Sequence, residues 1–342
     1  MGVSHAIFIH SKLQVYGISG NLLKWIEAFL RDRSQVVKVN GEESFSAPVL
    51  SGIPQGSVLG PILFVIYIND LPDSINSDTL MFADDTKVLL RIMSKEDSLE
   101  LQKDVEELEN WSDKWLLRFN IAKCHVLTVG KTEDIVHTHA YNLYGKPLEH
   151  VAEETDLGVT IDSELRFEEH ISKKINKANS IAGLIRRSFA HLDGNLFKRL
   201  YTTFVRPHLE YAQAVWSPIS QKLVDMLENV QIRATKMVDG YSNLNYEERL
   251  RRLDLPTLVY RRARGDMIEV YKHFHTYDQE QNPDIFQQQS YGARTHQLVW
   301  RKPKDGTRGV QTNSFYYRVM KPWNDLPTET VNSPSIDASR RD

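Results

Sequence analysis

Leu80-Met81-Phe82-Ala83-Asp84-Asp85-Thr86-Lys87-Val88-Leu89-Leu90 sets two adjacent carboxylates between two apolar runs. Each run carries strand-forming residues, and the break falls on the aspartates, so the stretch reads as a β-hairpin about a tight Asp84-Asp85 turn. With apolar residues on both sides, the hairpin is expected to sit in a core. Two like charges side by side repel and resist burial unless a cation offsets them. In two-metal sites, carboxylates hold cations about 3.5–4 Å apart to clamp an attacking and a leaving oxygen. Successive strand residues face opposite ways, so one aspartate of such a pair faces the ions more directly. An isolated Asp-Asp pair is, in most proteins, only a turn.

Upstream lies Ser51-Gly52-Ile53-Pro54-Gln55-Gly56-Ser57-Val58-Leu59-Gly60-Pro61, a structured loop by its glycines and prolines. Glycine lets backbone approach a flat or charged ligand closely, and Gln55 offers both a donor and an acceptor there. A helix is expected next, with Ile62, Leu63, Ile66 and Tyr67 inward, stopping near Asn69 before Pro72. Before the loop, Gln35 to Val39 reads as a strand, Gly41-Glu42 as its turn and Phe45 to Leu50 as its partner. Leu13, Tyr16, Ile18, Leu22, Leu23, Ile26, Phe29 and Leu30 recur at helical spacing and predict an opening helix.

Downstream, Ser94 with Asp97 resembles a capping box. The stripe Leu101, Val105, Leu108, Trp111, Trp115 then marks a helix that faces the core. Asn120 to Val129 reads as a strand that opens with Asn120-Ile121-Ala122-Lys123-Cys124, and a lysine held near a phosphate can neutralise charge or deliver a proton. Asn142 to Asp162 reads as two or three short strands with a Gly145-Lys146 turn. Helices are predicted over His170 to Ser188, Gly194 to Phe204, Ser220 to Met237 and Tyr246 to Tyr271. The glutamine-rich stretch after Asp278 reads as loop, and the tail beyond Asn332 as disordered. There are no internal repeats.

The 342 residues, 41% hydrophobic and 25% charged, fit an ordinary globular protein of one or two domains. The net charge of −3 conceals an asymmetry. Residues 95–169 hold 8 Lys/Arg against 18 Asp/Glu, and residues 171–264 hold 17 against 8. A basic half beside an acidic one suggests a polyanionic partner, although a solvated helix face gives the same tally. A single cysteine, Cys124, excludes a disulfide framework or cysteine-rich zinc site within the chain and fits a reducing compartment. The longest apolar run, Pro61 to Ile68, is far short of the roughly 20 residues of a membrane span. The opening Met-Gly-Val-Ser-His fits neither a signal peptide nor an acylation signal well.

Taken in order, the glycine loop and helix, the Phe82-Ala83-Asp84-Asp85 hairpin, the amphipathic helix, the Asn-x-x-Lys strand and Asp156-Leu157-Gly158-Val159 resemble the reverse transcriptases of non-LTR retrotransposons, jockey-like elements in particular. The resemblance runs from about Val3 to Leu326. It includes Ser314-Phe315-Tyr316-Tyr317-Arg318 and Trp323-Asn324-Asp325-Leu326-Pro327, which look like the C-terminal part of these polymerases. It implies an α+β fold: a partial right-hand polymerase palm over 1–165, a helical thumb over 166–275, and a C-terminal helical region, partly disordered, over 276–342. Asp84 and Asp85 would bind Mg²⁺ (or Mn²⁺), Asp84 most directly. Pro54, Gln55, Gly56, Phe82 and Ala83 would line the nucleotide and template pocket. Lys123 would act on the leaving pyrophosphate, and Leu157 and Gly158 would grip the primer end. Lys173, Lys174, Arg186, Arg187, Lys198 and Arg199 would follow the nucleic-acid backbone, which attracts cations without sequence preference. The implied partners are an RNA template, a DNA primer and dNTPs, with no membrane, and by analogy the work would be done in the nucleus.

The resemblance also carries an expectation of loss. The family's first catalytic aspartate stands in a strand reading Asp-x-x-Lys-Ala-Phe-Asp-x-Val-x-His, and Val3, Ser4 and His5 match only its end. The aspartate is thus expected upstream of Met1, and neither Glu27 nor Asp32 replaces it. Two cations on two carboxylates are under-ligated, so this chain alone is expected not to polymerise. No endonuclease domain or zinc knuckle is read. The competing readings are a non-catalytic nucleic-acid-binding protein that keeps a basic thumb, and a product that does not fold stably.

Overall fold

A computed structural model describes residues 4–49, 52–130, 139–275, 286–291, 294–300 and 314–333. The chain divides into two compact units: residues 1–126 with 132–150, and residues 127–131 with 151–342. Helix and sheet are mixed, and every ladder among the described residues is two-stranded.

In the first unit the expected opening helix is two, α1 (Ser4–Val15) and α2 (Gly20–Leu30). The break has a local cause. Gly17 takes φ +78°, and the Ile18 N–H turns back to the Leu13 carbonyl at 2.9 Å, a left-handed helix stop. The next strands, β1 (Ser34–Gln35), β2 (Lys38–Val39), β3 (Glu42–Glu43) and β4 (Ala47–Pro48), make the predicted hairpin in two short ladders. Val39 pairs with Glu42 across Asn40-Gly41, both at positive φ, and Ser34 pairs with Pro48. Helix α3 (Leu59–Ile68) buries Leu63, Tyr67 and Ile68, whereas Ile62, expected inward, is 52% exposed.

The aspartate hairpin is β5 (Asp78–Phe82) with β6 (Asp85–Leu89). Its reversal is centred on Ala83-Asp84, because Phe82 pairs with Asp85. It does not sit in a core. Leu80, Phe82 and Leu89 are exposed, and only Met81 and Val88 pack on the hydrophobic cluster. Helix α4 (Lys95–Trp115) starts at the predicted capping box and buries Val105, Leu108 and Trp111. The strand expected over Asn120 to Val129 is instead a 3₁₀ turn, Ile121–Lys123, followed by β7 (His125–Leu127). The Asn120 side chain accepts the Ala122 N–H at 3.2 Å, and this local bond winds the turn. Then come β8 (Asn142–Leu143), β9 (Lys146–Pro147) and β10 (Glu149–Val151). One cluster from α1 to α4, including Leu13, Ile26, Leu63, Leu71 and Trp111, forms the core of this unit.

The second unit opens with the hairpin β11 (Glu153–Asp156) and β12 (Val159–Asp162). Asp162 then accepts the backbone N–H groups of Glu164, Arg166 and Phe167, steering the chain into α5 (Glu168–Ser188). The helix expected over Gly194 to Phe204 is α6 (Gly194–Leu200), continued by a π turn over Tyr201–Val205 and by α7 (Arg206–Glu210). Pro207 has no N–H to return to Thr203, and the wider turn absorbs the missing bond. After α8 (Gln213–Trp216) and α9 (Gln221–Thr235), the long helix expected over Tyr246 to Tyr271 is two, α10 (Tyr246–Leu253) and α11 (Leu258–His275). Asp254 takes φ +48° ahead of Pro256, which disfavours helix at Leu255.

The C-terminal region, read as loop and helix, instead contains a hairpin, β13 (Phe286–Tyr291) with β14 (Arg294–Trp300), before helices Phe315–Asn324 and Thr328–Val331. Residues 334–342, read as a disordered tail, lie outside the described residues. The main core of this unit gathers Ile171, Phe197, Leu209, Trp216, Leu227 and Leu258, and a smaller one joins Val270 and Tyr271 to Val319 and Trp323.

Candidate functional site

The aspartates are presented at the tip of a hairpin whose stem is tied down at its base. The Asp104 carboxylate, 2% exposed on α4, accepts the Asn76 and Ser77 N–H groups at 3.0 Å each, where β5 begins. Five residues on, Ala83 adopts φ +52°. That left-handed conformation costs an alanine roughly 1–2 kcal/mol and leaves Asp84 and Asp85 both exposed. Strain of this kind collects where a side chain must be aimed.

The glycine loop is shaped by its own hydroxyl. Ser57 Oγ donates to the Pro54 carbonyl at 2.8 Å and accepts the Gly60 N–H at 2.9 Å. A Cβ on Gly60 would stand 2.9 Å from the Pro54 oxygen, so the closure needs glycine. Gly52 and Gly56 take φ of +78° and +79°, and the Arg33 guanidinium holds the Gly52 carbonyl. Gln55 and Gly56 are exposed at the bend, with Pro54 half-buried.

Lys123 is exposed at the end of its 3₁₀ turn. Beside it Cys124 is half-buried, and burial pushes its thiol up from the usual range. The loop, the hairpin and the segment before Lys123 share one support. Ile53 and Leu59, Met81 and Val88, and Leu117 and Phe119 all pack on the same cluster of the first unit.

Leu157 and Gly158 belong to the second unit, where they form the reversal of β11–β12. Their φ values of +45° and +80° match a two-residue hairpin turn with both central residues left-handed. Tyr211 Oη donates to the Leu157 carbonyl at 2.9 Å.

Of the six cations expected to follow a backbone, two are engaged. Lys173 contacts Glu153 at 3.2 Å and Glu169 at 3.6 Å, and the Glu153 hydrogen bond holds its ammonium above the usual range. Lys198 contacts Asp254 at 2.8 Å. Lys174, Arg186, Arg187 and Arg199 make no ion pair among the described residues.

Sequence reasoning missed three buried polar sites. Lys12, 6% exposed, reaches Asp70 at 2.6 Å and lies 3.7 Å over the Trp115 ring, and desolvation lowers its pKa. His170, 1% exposed, accepts the Thr160 N–H at Nδ1, and burial takes its pKa down to about 4. Arg318 forks onto Asp266 at 2.8 and 3.2 Å and also donates to the Ala214 and Ser217 carbonyls. This bond set, with Val319 and Trp323 buried below, gives the late Ser314–Arg318 motif a structural role. A local signal existed only for Arg318, a cation inside an aromatic run.

As for metal, the aspartate pair suits a hard cation, but two adjacent carboxylates do not complete its shell. Among the described residues, no three His, Cys, Asp or Glu side chains come together as a metal site. Nor is any described helix long and apolar enough to cross a membrane.

Residues 2–161 match the family described as reverse transcriptase (RNA-dependent DNA polymerase). The chain is similar to the RNA-directed DNA polymerase from mobile element jockey of Drosophila melanogaster, 26% identical over 63% of this chain and 25% of that protein. The corresponding jockey protein of Drosophila funebris is 29% identical over 65% of this chain and 25% of its own length. A probable RNA-directed DNA polymerase from transposon BS of Drosophila melanogaster is 26% identical over 62% and 25%. The chain thus spans about a quarter of the length of the curated relatives it matches.

Proposed function

This chain belongs to the reverse transcriptase family through its residues 2–161, and from that premise we propose that it supplies part of the polymerising centre of an RNA-directed DNA polymerase of a non-LTR mobile element. The observation that carries the reading is the exposed Asp84-Asp85 pair at a strained tip, seated on the same core as the glycine loop. Asp84 and Asp85 would hold Mg²⁺, with Mn²⁺ as a substitute, Asp84 most directly. Bound there, the cation supplies charge neutralisation for phosphoryl transfer. Gln55, flanked by Pro54 and Gly56, would present its amide to the template base and the incoming dNTP, with Phe82 and Ala83 beside them. Lys123 would offer its ammonium to the leaving pyrophosphate. Leu157 and Gly158 would hold the primer end, and residues 166–275 would serve as thumb. With Lys173 and Lys198 engaged, Lys174, Arg186, Arg187 and Arg199 are the cations left for the backbone of an RNA–DNA duplex.

A third carboxylate has to come from beyond the described residues. A bridging carboxylate supplies several kcal/mol of transition-state stabilisation, on the order of several powers of ten in rate. The residues described here are therefore expected not to polymerise unaided. The test is dTTP incorporation on poly(rA)·oligo(dT), by this chain and by a longer protein that carries it. Incorporation by the longer protein is expected, with loss of at least a thousandfold on Asp84→Asn and unchanged template binding. Incorporation that survives Asp84→Asn would refute the role of the pair. Duplex binding without incorporation in either protein would favour the second reading, a non-catalytic nucleic-acid-binding module, which the unpaired thumb cations support.

A further inference from the structure

Between α5 and the π turn with α7 runs an open cleft of about 440 Å³, within the size range of ligand clefts. Ile181, Leu184 and Ile185 line one wall, and Leu200, Phe204 and Pro207 the other. The π turn takes the chain out of α-helical register just where Thr203 and Phe204 enter the cleft. Leu184 and Phe204 are 57% and 53% exposed, so this apolar surface lies open to water.

The charge around it is one-sided. Residues 174–208 contain seven Lys/Arg and a single acidic residue, Asp193. Asp193 is already used, accepting the Asn195 and Leu196 N–H groups at the start of α6. Arg206 and Lys198 have carboxylate partners, Glu210 and Asp254. Lys174, Lys177, Arg186, Arg187 and Arg199 have none among the described residues. Lys174 lies two helical turns before Ile181 on the same face of α5, whereas helical spacing turns Arg186 and Arg187 away from the cleft. Lys177 lies one helical turn before Ile181. Lys174 and Lys177 also press on His208 in the cleft, adding to the desolvation that lowers its pKa.

We infer that this cleft is a docking groove for an acidic amphipathic helix of a protein partner. Two or three aliphatic or aromatic side chains at i, i+3 and i+7 would enter the cleft, and flanking Asp and Glu would meet the cation rim. A phosphate backbone accounts for the cations alone. It leaves the concave aliphatic floor unfilled, whereas nucleobases stack on flat aromatic faces. Because Lys174 of the rim is also proposed for the duplex, the two occupants would exclude one another.

The test is selection from a displayed library of 16-residue peptides on the full chain, followed by Kd measurement for the enriched peptides. Enrichment of acidic sequences with apolar residues at helical spacing is expected. Leu184→Asp and Lys174→Glu/Lys177→Glu are each expected to weaken the selected peptide at least tenfold, with circular dichroism unchanged. Poly(rA)·oligo(dT) is expected to compete with it. Enrichment without that periodicity, or binding that Leu184→Asp leaves within twofold, would overturn the inference. So would a chain that binds the duplex and no peptide. Leu184 has no part in the polymerising centre, so a failed groove leaves that reading standing.

Discussion

Replacing Arg318 by alanine isolates one interaction of the second unit. Its guanidinium forks onto Asp266, with side chains 14% and 6% exposed, and closes two carbonyls of the α8 region. The substitution leaves Asp266 buried without its cation. Breaking such a pair from one side costs about 3–5 kcal/mol, most of it the stranded charge. The unit should therefore open more readily, with hydrogen exchange of Leu258–His275 and Phe315–Asn324 faster by about two to four powers of ten. Desolvation already raises the Asp266 pKa, and Arg318 is its main counterweight. Without Arg318 the carboxyl titrates higher still in the folded state than in the unfolded one. The folded state then binds more protons, so stability of the variant should rise as pH falls from 7 toward the unfolded carboxyl value of about 3.9. Asp266→Asn in the same background should recover a large part of the loss at pH 7. An exchange rate that rises less than fivefold in Arg318→Ala, or no recovery on adding Asp266→Asn, would refute the reasoning.

Gly60→Ala places a Cβ 2.9 Å from the Pro54 carbonyl, so the loop must shift at a cost of about 1–3 kcal/mol. Faster exchange over residues 52–63 would register it, and a crystal structure with Ser57 still bonded to both partners would contradict it. His170 is held neutral, with its folded pKa near 4 below the ordinary 6.5. The unfolded state binds the extra proton between those values, so stability should be full above pH 6.5 and fall by roughly 3 kcal/mol as pH drops toward 4. Urea midpoints across this range should flatten in His170→Gln, and an unchanged slope would count against it. Ser94→Ala removes the hydroxyl that caps α4, and a loss of about 1 kcal/mol is expected. A thermal midpoint equal to the parent's would show that Asp97 caps the helix unaided.

What the sequence made legible was local and periodic. The capping box at Ser94 and the stripe through Val105, Leu108 and Trp111 are each encoded within a few residues, and each is where the pattern placed it. The Pro256 break in the long C-terminal helix was also written locally, but the apolar periodicity on both sides masked it. The aspartate hairpin was misjudged for a different reason. Leu80 and Phe82 alternate with Met81, and all three are apolar, so composition cannot say which face is covered. The structure turns Met81 to the core and leaves Leu80 and Phe82 outside. The buried polar partners were out of reach, because Lys12 finds Asp70 and Arg318 finds Asp266 across more than fifty residues, with no spacing rule to link them.

The same distinction governs the site. Order along the chain singled out Gln55, Gly56, Asp84, Asp85 and Lys123 as candidates, since each sits on a short motif with its own turn chemistry. A metal centre is a property of ligand number in space, and motif order says nothing of that. The described residues bring two carboxylates to a tip and hold them exposed, where a metal centre would need further ligands. The apolar faces of Leu80, Phe82, Leu89 and Ile62 stand open in the same unit. An exposed strand edge beside open apolar surface is a place for another strand to add.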